Sequence, residues 1–198
     1  MTDLLFLPGA GGSAAFWRPV ADRLNAGGRR RFFAWPGLGN EPQDPNVRSL
    51  DDLVSMVLSA IDEPAHLIAQ SMGGLVAVQV ALAAPGKVRR LVLAATSGGV
   101  RMDDLGVADW RSDYRSAFPA AARWITEVSQ DLSSQLASVE APCLVLSGDA
   151  DPISPPSVGR RLCGLLPNAR LHIIRGGDHD LAQTHAAEAA ALIGEHLR

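Results

Sequence analysis

Strand-sized apolar runs alternating with helix-length stretches predict an α/β fold. The runs are Leu4–Leu7, Phe32–Trp35, His66–Gln70, Leu91–Ala95, Cys143–Ser147 and Leu171–Ile174, all rich in Leu, Ile, Val and Phe. Between and after them lie Ala14–Asn25, Leu50–Ile61, Met72–Ala83, Pro156–Leu165 and Ala182–Leu197, each long enough for a helix. Strands separated by helices imply βαβ units, a parallel sheet and right-handed crossovers. A length of 198 residues fits one domain, 1–198, whose core needs no disulfide or metal staple.

Taken in order, Leu4–Leu7 runs into Pro8-Gly9-Ala10-Gly11-Gly12-Ser13, a glycine-rich turn that opens a helix. Arg29–Arg31 precedes the second strand and reads as a solvated loop. The third strand ends at Ser71, and two glycines start the next helical pattern. The fourth and fifth strands are separated by residues 96–142, too many for a simple crossover. That segment holds Trp110, Tyr114, Phe118 and Trp124, four of the ten aromatics and the only tyrosine. Trp110, Tyr114 and Phe118 are spaced i, i+4, i+8, which aligns them along one helix face. The segment is either a crossover with its own small core or a helical cap. Insertions in such folds gather at the ligand-binding end of the sheet, which favours a short cap over 97–135 with its aromatics lining a pocket. Trp17 fits either the core or that pocket. The last helix carries its apolar stripe on Ala186, Ala189, Ala190, Ile193 and Leu197.

Composition narrows the function. Eighteen Lys+Arg against 21 Asp+Glu give a net charge of -3, without the polyelectrolyte character of a nucleic-acid binder. The N-terminus lacks a basic region, and Leu4–Leu7 is too short for a signal peptide. No apolar stretch approaches the roughly 20 residues of a membrane span. Cys143 and Cys163 form no CxxC or Cys/His cluster and read as core thiols in a reducing cytoplasm. A cytoplasmic protein with neither metal nor cofactor is expected, its oligomeric state open.

The residues that carry chemistry stand at strand ends. In Ala69-Gln70-Ser71-Met72-Gly73, small residues flank the serine at -2 and +2, as a strand-to-helix nucleophile elbow requires. The turn lifts the hydroxyl clear of the sheet beside unpaired helix N–H groups. A serine nucleophile needs a base and a carboxylate that orients the base. Gly148-Asp149-Ala150-Asp151-Pro152 follows the fifth strand, and Gly176-Gly177-Asp178-His179 the sixth. In a parallel sheet both loops emerge on the edge where Ser71 does, in the chain order Ser, Asp, His. The turn after the first strand supplies backbone N–H groups for an oxyanion. It has neither the GxGxxG nor the Gly-Lys-Ser/Thr pattern of a phosphate cradle.

These motifs resemble the α/β-hydrolase superfamily from Leu4 to the end of the chain. Leu7–Gly12 is similar to the family's His-Gly-x-Gly turn, with Pro8 in place of the histidine. Trp35–Asn40 resembles its Pro-Gly-x-Gly-x-Ser/Asn loop, Ala69–Gly73 its elbow, Gly148–Asp151 its acid loop, and Asp178-His179 its histidine turn. The resemblance implies Ser71 as nucleophile, His179 as base then acid, Asp151 as the orienting carboxylate, and Met72 and Ala10 as backbone oxyanion donors. The Gly-x-x-Asp spacing selects Asp151 over Asp149. The chain begins at the family's third strand, which leaves a mostly parallel sheet of about six strands. With the short insertion, this implies a shallow or partly open pocket.

A small serine esterase or thioesterase is therefore expected, acting on a small-molecule ester or thioester. The turn Pro8–Ala15 also resembles type II thioesterases, which adds a carrier-bound acyl group as a candidate. A triad-bearing acyltransferase or carbon–carbon lyase, such as that of menaquinone synthesis, and a binding protein on a retired hydrolase fold remain alternatives. Arg101, Arg111, Arg115 and Arg123 in the insertion would receive an anionic substrate tail or pair with nearby acids. His66, His172, His185 and His196 read as structural.

Overall fold

A computed structural model describes residues 1–198. In chain order the elements are β1 (Leu4–Leu7), α1 (Arg18–Ala21), β2 (Arg30–Phe32), α2 (Leu50–Ser59), β3 (Ala65–Gln70), α3 (Met72–Ala83), β4 (Val88–Ala94), α4 (Arg111–Ala117), β5 (Cys143–Gly148), α5 (Pro156–Leu165), β6 (Ala169–Ile174), α6 (Leu181–Thr184) and α7 (Ala186–His196). The six strands form one sheet in the order β2-β1-β3-β4-β5-β6, every neighbouring pair parallel. The order reverses between β1 and β3, so the crevice outside their carboxyl ends is the ligand-binding position of such a sheet.

Both sheet faces are buried, which is why the strands read as continuous apolar runs. Alternate residues serve opposite faces. Leu5, Leu7, Leu67, Leu91, Leu93 and Val145 join a core with α2, α3 and α5. Leu4, Phe6, Ile68, Val92, Leu144 and Leu146 join a second core with α1, α6 and α7. The central helix α3 is buried along most of its length, so it shows no polar stripe in the sequence. Ser49 caps α2 by accepting the Asp52 N–H, and the Asp52 carboxylate in turn accepts the Arg48 N–H at 2.9 Å.

Three expected elements come out differently. The helix expected over Ala14–Asn25 contracts to α1. Pro19 is in its first turn, and the Arg30 guanidinium binds the Ala21 and Leu24 carbonyls at 2.6 and 2.7 Å, ending the helix. The second strand ends at Phe32, short of Trp35, because the Trp35 N–H donates to Gly12 O at 2.9 Å outside the sheet ladder. The terminal helix breaks at His185 into α6 and α7.

Residues 96–142 contain α4 and two short 3₁₀ turns, Arg123–Thr126 and Leu136–Ser138. The segment crosses the carboxyl edge of the sheet. It is tied at one side by Ala108 N to Pro152 O (2.8 Å) and at the other by Ala122 N to Gly37 O (2.8 Å). Arg161 on α5 anchors it further through two hydrogen bonds to Asp104, at 2.6 and 2.7 Å.

At the opposite end of the sheet, His66 and His196 are buried, and His66 Nδ1 and His196 Nε2 have no hydrogen-bond partner. Burial, then the charges of Arg90, His196 and Arg89, push His66 down to about 4. Burial, then Arg170 and Arg90, push His196 to about 4 as well, against small opposing contributions from the Leu91 and Pro142 backbone. The unfolded chain therefore binds protons between pH 6.5 and about 4 that the folded chain rejects. Stability is fully present above this window and falls with pH by about 1.4 kcal/mol per unit for each histidine. The urea midpoint should drop steeply from pH 7 to 4.5, and His66→Gln should flatten that slope by about one proton.

Candidate active site

Ser71 joins β3 to α3 with φ 52° and ψ -122°, outside the regions that L-residues ordinarily occupy. Such a conformation costs about 1–3 kcal/mol and persists only where the surroundings enforce it. Here the Ser71 N–H donates to Ala94 O at 3.0 Å, and its carbonyl accepts the Gly74 N–H at 2.9 Å and the Thr96 hydroxyl at 2.6 Å. Gly73 lies against the Leu7 and Pro8 carbonyls and Gly74 against the Thr96 side chain, so a Cβ at either position would overlap its neighbour.

The register of the sheet then assembles the rest. Leu7 pairs with Ala69, which sets the glycine-rich turn beside Ser71. Gly148 pairs with Ile174, which brings the two loops after β5 and β6 together. Ala150 N donates to Gly177 O at 2.9 Å and Gly176 N to the Asp149 carboxylate at 2.6 Å, so Asp149 ties one loop to the other. His179 bridges the remaining two groups: Nε2 lies 2.9 Å from Ser71 Oγ and Nδ1 2.9 Å from Asp151 Oδ2. The Asp151 side chain is wholly buried, and its other oxygen accepts the Ile153 and Ser154 N–H groups at 2.8 and 3.0 Å. Burial pushes this carboxyl upward. The bonds from His179 and from the two backbone amides outweigh it and hold the group below its ordinary value. A carboxylate at Nδ1 fixes the proton there, leaving Nε2 to accept from the serine hydroxyl.

Nearly every carbonyl of the glycine-rich turn accepts a hydrogen bond. Leu7 O accepts the Trp17 indole N–H at 2.9 Å and Pro8 O that of Trp35 at 2.7 Å. Gly9 O accepts Gly12 N at 3.0 Å, Ala10 O accepts the Tyr114 hydroxyl at 2.8 Å, and Gly12 O accepts Trp35 N. A trans peptide points its N–H opposite its carbonyl. The N–H groups of Ala10 and Gly11 make no backbone hydrogen bond, and that of Met72 lies in the unpaired first turn of α3.

Above Ser71 lies a cavity of about 1340 Å³, walled by the turn, Met72, Leu75, Phe16 and the 97–135 segment. Trp110, Tyr114 and Phe118 line it, at the start, middle and end of α4, with Tyr114 ring centroids 5.5 and 5.0 Å from its two neighbours. Two expected lining residues do not reach it. Trp17 is 1% exposed and packs against Phe6 and Phe16 in the core of the other sheet face, because its indole N–H is bound to Leu7 O. Trp124, on the 3₁₀ turn after α4, packs inward against the larger core instead. Arg101 and Arg111 line the cavity but pair with Asp103 and Asp109, at 2.9 and 3.1 Å. Two buried contacts escaped sequence reading: Thr96, and Gln70, whose side-chain amide donates to the His179 carbonyl at 3.1 Å. Gln70 immediately precedes the serine, a position the elbow pattern leaves unspecified.

A parallel sheet with a serine on a strained turn after its third strand, facing a histidine from the last strand's loop, defines a hydrolase of the α/β type. A family model described as "Alpha/beta hydrolase family" matches residues 4–134, and one described as "TAP-like protein" matches 109–198. The chain belongs to the alpha/beta hydrolase family. It is 29% identical to a 2-hydroxy-6-oxononadienedioate/2-hydroxy-6-oxononatrienedioate hydrolase of Burkholderia vietnamiensis over 96% of this chain and 84% of that protein. It is likewise 29% identical to a pimeloyl-[acyl-carrier protein] methyl ester esterase of Edwardsiella ictaluri, over 98% and 92%. A meta-cleavage product hydrolase from Pseudomonas fluorescens shares the fold, with a TM-score of 0.82 at 20% identity over 100% of this chain and 90% of that one. A thermophilic esterase from Thermogutta terrifontis has a TM-score of 0.80, also at 20% identity over 100% and 90%.

Gly73→Ala tests the packing that sustains the elbow. Its methyl meets backbone at Pro8 and Leu7, which cannot swing aside as a side chain would. Overpacking of this kind costs about 1–3 kcal/mol, so Tm should fall by about 2–12 °C for a chain of this size. Gly86→Ala, where nothing lies within reach, should leave Tm within about a degree or two of the parent.

Proposed function

We propose that the chain is a serine hydrolase of the esterase or thioesterase type, cleaving its substrate through an acyl-enzyme on Ser71. The observation that carries this reading is the unbroken hydrogen-bonded line from Ser71 Oγ through both nitrogens of His179 to the buried Asp151. In the first step Ser71 Oγ attacks the acyl carbon while its proton passes to His179 Nε2. The oxyanion that develops is received by the N–H groups of Met72 and Ala10. Asp151 stabilises the imidazolium through Nδ1 without taking its proton. Collapse breaks the bond to the alcohol or thiol, which leaves with the proton from Nε2. Water, activated by the same nitrogen, then attacks the acyl-enzyme and releases the acid and free Ser71. The 97–135 segment acts as a cap that supplies the apolar wall.

The relatives' names include a hydrolase of two dioates and a methyl ester esterase of a carrier-protein-bound acyl group. The cavity favours an uncharged substrate region. Its two arginines are paired with Asp103 and Asp109, while Asp113, Asp131 and Asp180 add further negative charge. An anionic tail would meet no unpaired guanidinium there, and like charge raises the cost of entry.

Intact-mass analysis after treatment with a fluorophosphonate tests the core of the proposal. One adduct on the wild type, absent from Ser71→Ala and His179→Ala, is expected; no adduct on the wild type overturns it. For substrate charge, kcat/KM for a neutral p-nitrophenyl acyl ester should exceed that for the isosteric ester ending in a carboxylate by at least about tenfold at low salt. The gap should narrow as salt is added.

A further inference from the structure

Tyr114 connects the cap to the oxyanion turn, a role beyond lining the cavity. Its hydroxyl donates to Ala10 O at 2.8 Å and accepts the Gly39 N–H at 2.9 Å, and so spans the turn after β1 and the loop after β2. Trp110 edges onto one side of its ring (84° between planes) and Phe118 leans on the other. The side chain is nearly buried, and burial raises the phenol above its ordinary value, so it remains a neutral donor. The other held carbonyls of the turn are bound by residues 12, 17 and 35, which belong to the sheet and its loops. Ala10 O alone is held from the 97–135 segment.

We propose that Tyr114 is a positioning residue for the oxyanion turn: its hydroxyl fixes the Ala10–Gly11 peptide, which aims the Gly11 N–H and holds the backbone of Ala10 so that its own N–H, on the neighbouring Gly9–Ala10 peptide, faces Ser71. The inference rests on the assignment of Ser71 and Ala10 made above. Two features of the geometry support it. Gly39 packs so closely on Gly11 that a Cβ would overlap the Gly11 carbonyl, so the two loops meet backbone to backbone beside the hydroxyl that joins them. Deleting the hydroxyl also leaves a carbonyl and an N–H without their partner at one point, in a turn where glycine fills positions 9, 11 and 12 and the backbone has wide freedom to move.

Tyr114→Phe tests this, because it retains the ring and its stacking while removing only the oxygen. With a neutral p-nitrophenyl ester, and sites counted by fluorophosphonate titration, kcat should fall roughly 10- to 100-fold with KM changed less than about threefold. Inhibition by an alkyl trifluoromethyl ketone, whose adduct places an oxyanion in the hole, should weaken by the same factor as kcat/KM. The pH midpoint of kcat/KM should not move, since His179 and Asp151 are untouched. Unchanged kcat, or a rise in KM alone, would reduce Tyr114 to a wall of the cavity; a moved pH midpoint would place its action at His179. Should the variant not fold, amide exchange on the wild type decides: the Gly39 N–H should exchange more slowly with the ketone bound, and an unchanged rate overturns the proposal. A wild type that takes no fluorophosphonate overturns the hydrolase reading and this one together, whereas a labelled wild type matched by Tyr114→Phe overturns this one alone.

Discussion

The close approach of the N-terminus of α3 to the end of β1 is the constraint on which the rest of the molecule depends. Gly73 lies directly on the Leu7 and Pro8 carbonyls, and Ser71, two residues before it, is held at the strained φ of 52°. Strain of this size survives only where folding elsewhere supplies more than it costs. The support is the two-sided burial of β1, β3 and β4, together with α3, which is packed along most of its length. An ordinary amphipathic helix facing water would not press its first turn so firmly against a neighbouring strand.

From that contact the arrangement of donors follows. The carbonyls at the end of β1 cannot continue a ladder, because the chain turns away through glycine at 9, 11 and 12. Buried carbonyls must still find donors. Two indoles, one hydroxyl and two backbone amides supply them, four from other segments and one, the Gly12 N–H, from within the turn. Once the Gly9 and Ala10 carbonyls are committed, planarity turns the Ala10 and Gly11 N–H groups, which make no backbone bond, to the opposite side of their peptides. The same economy operates in the acid loop, where Asp151 is kept ionised by bonds from two backbone amides and His179 despite complete burial. Aromatic residues here act as donors as much as apolar bulk. Trp17 illustrates the point: its indole bond to Leu7 O draws it into the core, and Phe16 lines the cavity instead.

Local signals made much of this visible in advance. β1, the helix Met72–Ala83 and the helix Pro156–Leu165 coincide with their apolar patterns, because each is buried in a way that its own residues dictate. The residues at strand ends were also legible, since a parallel sheet delivers every such loop to one edge. The failures share a cause. The contraction of the first helix to Arg18–Ala21 depends on Arg30, and the early end of the second strand on Gly12; both partners are remote in sequence. Gln70 and Thr96 support the histidine loop and the elbow through single side-chain bonds that leave no periodicity behind.

The sequence by itself determined the fold class, the number of strands and the three loops that carry serine, acid and histidine. It could do so because burial on a sheet with helices on both faces imprints a period and a length on every element. Only the tertiary structure decided which aromatics face the cavity and which act as donors behind the turn. Those outcomes hang on where one indole or hydroxyl meets a carbonyl from another loop, and a pattern of residue types along the chain contains no such distance.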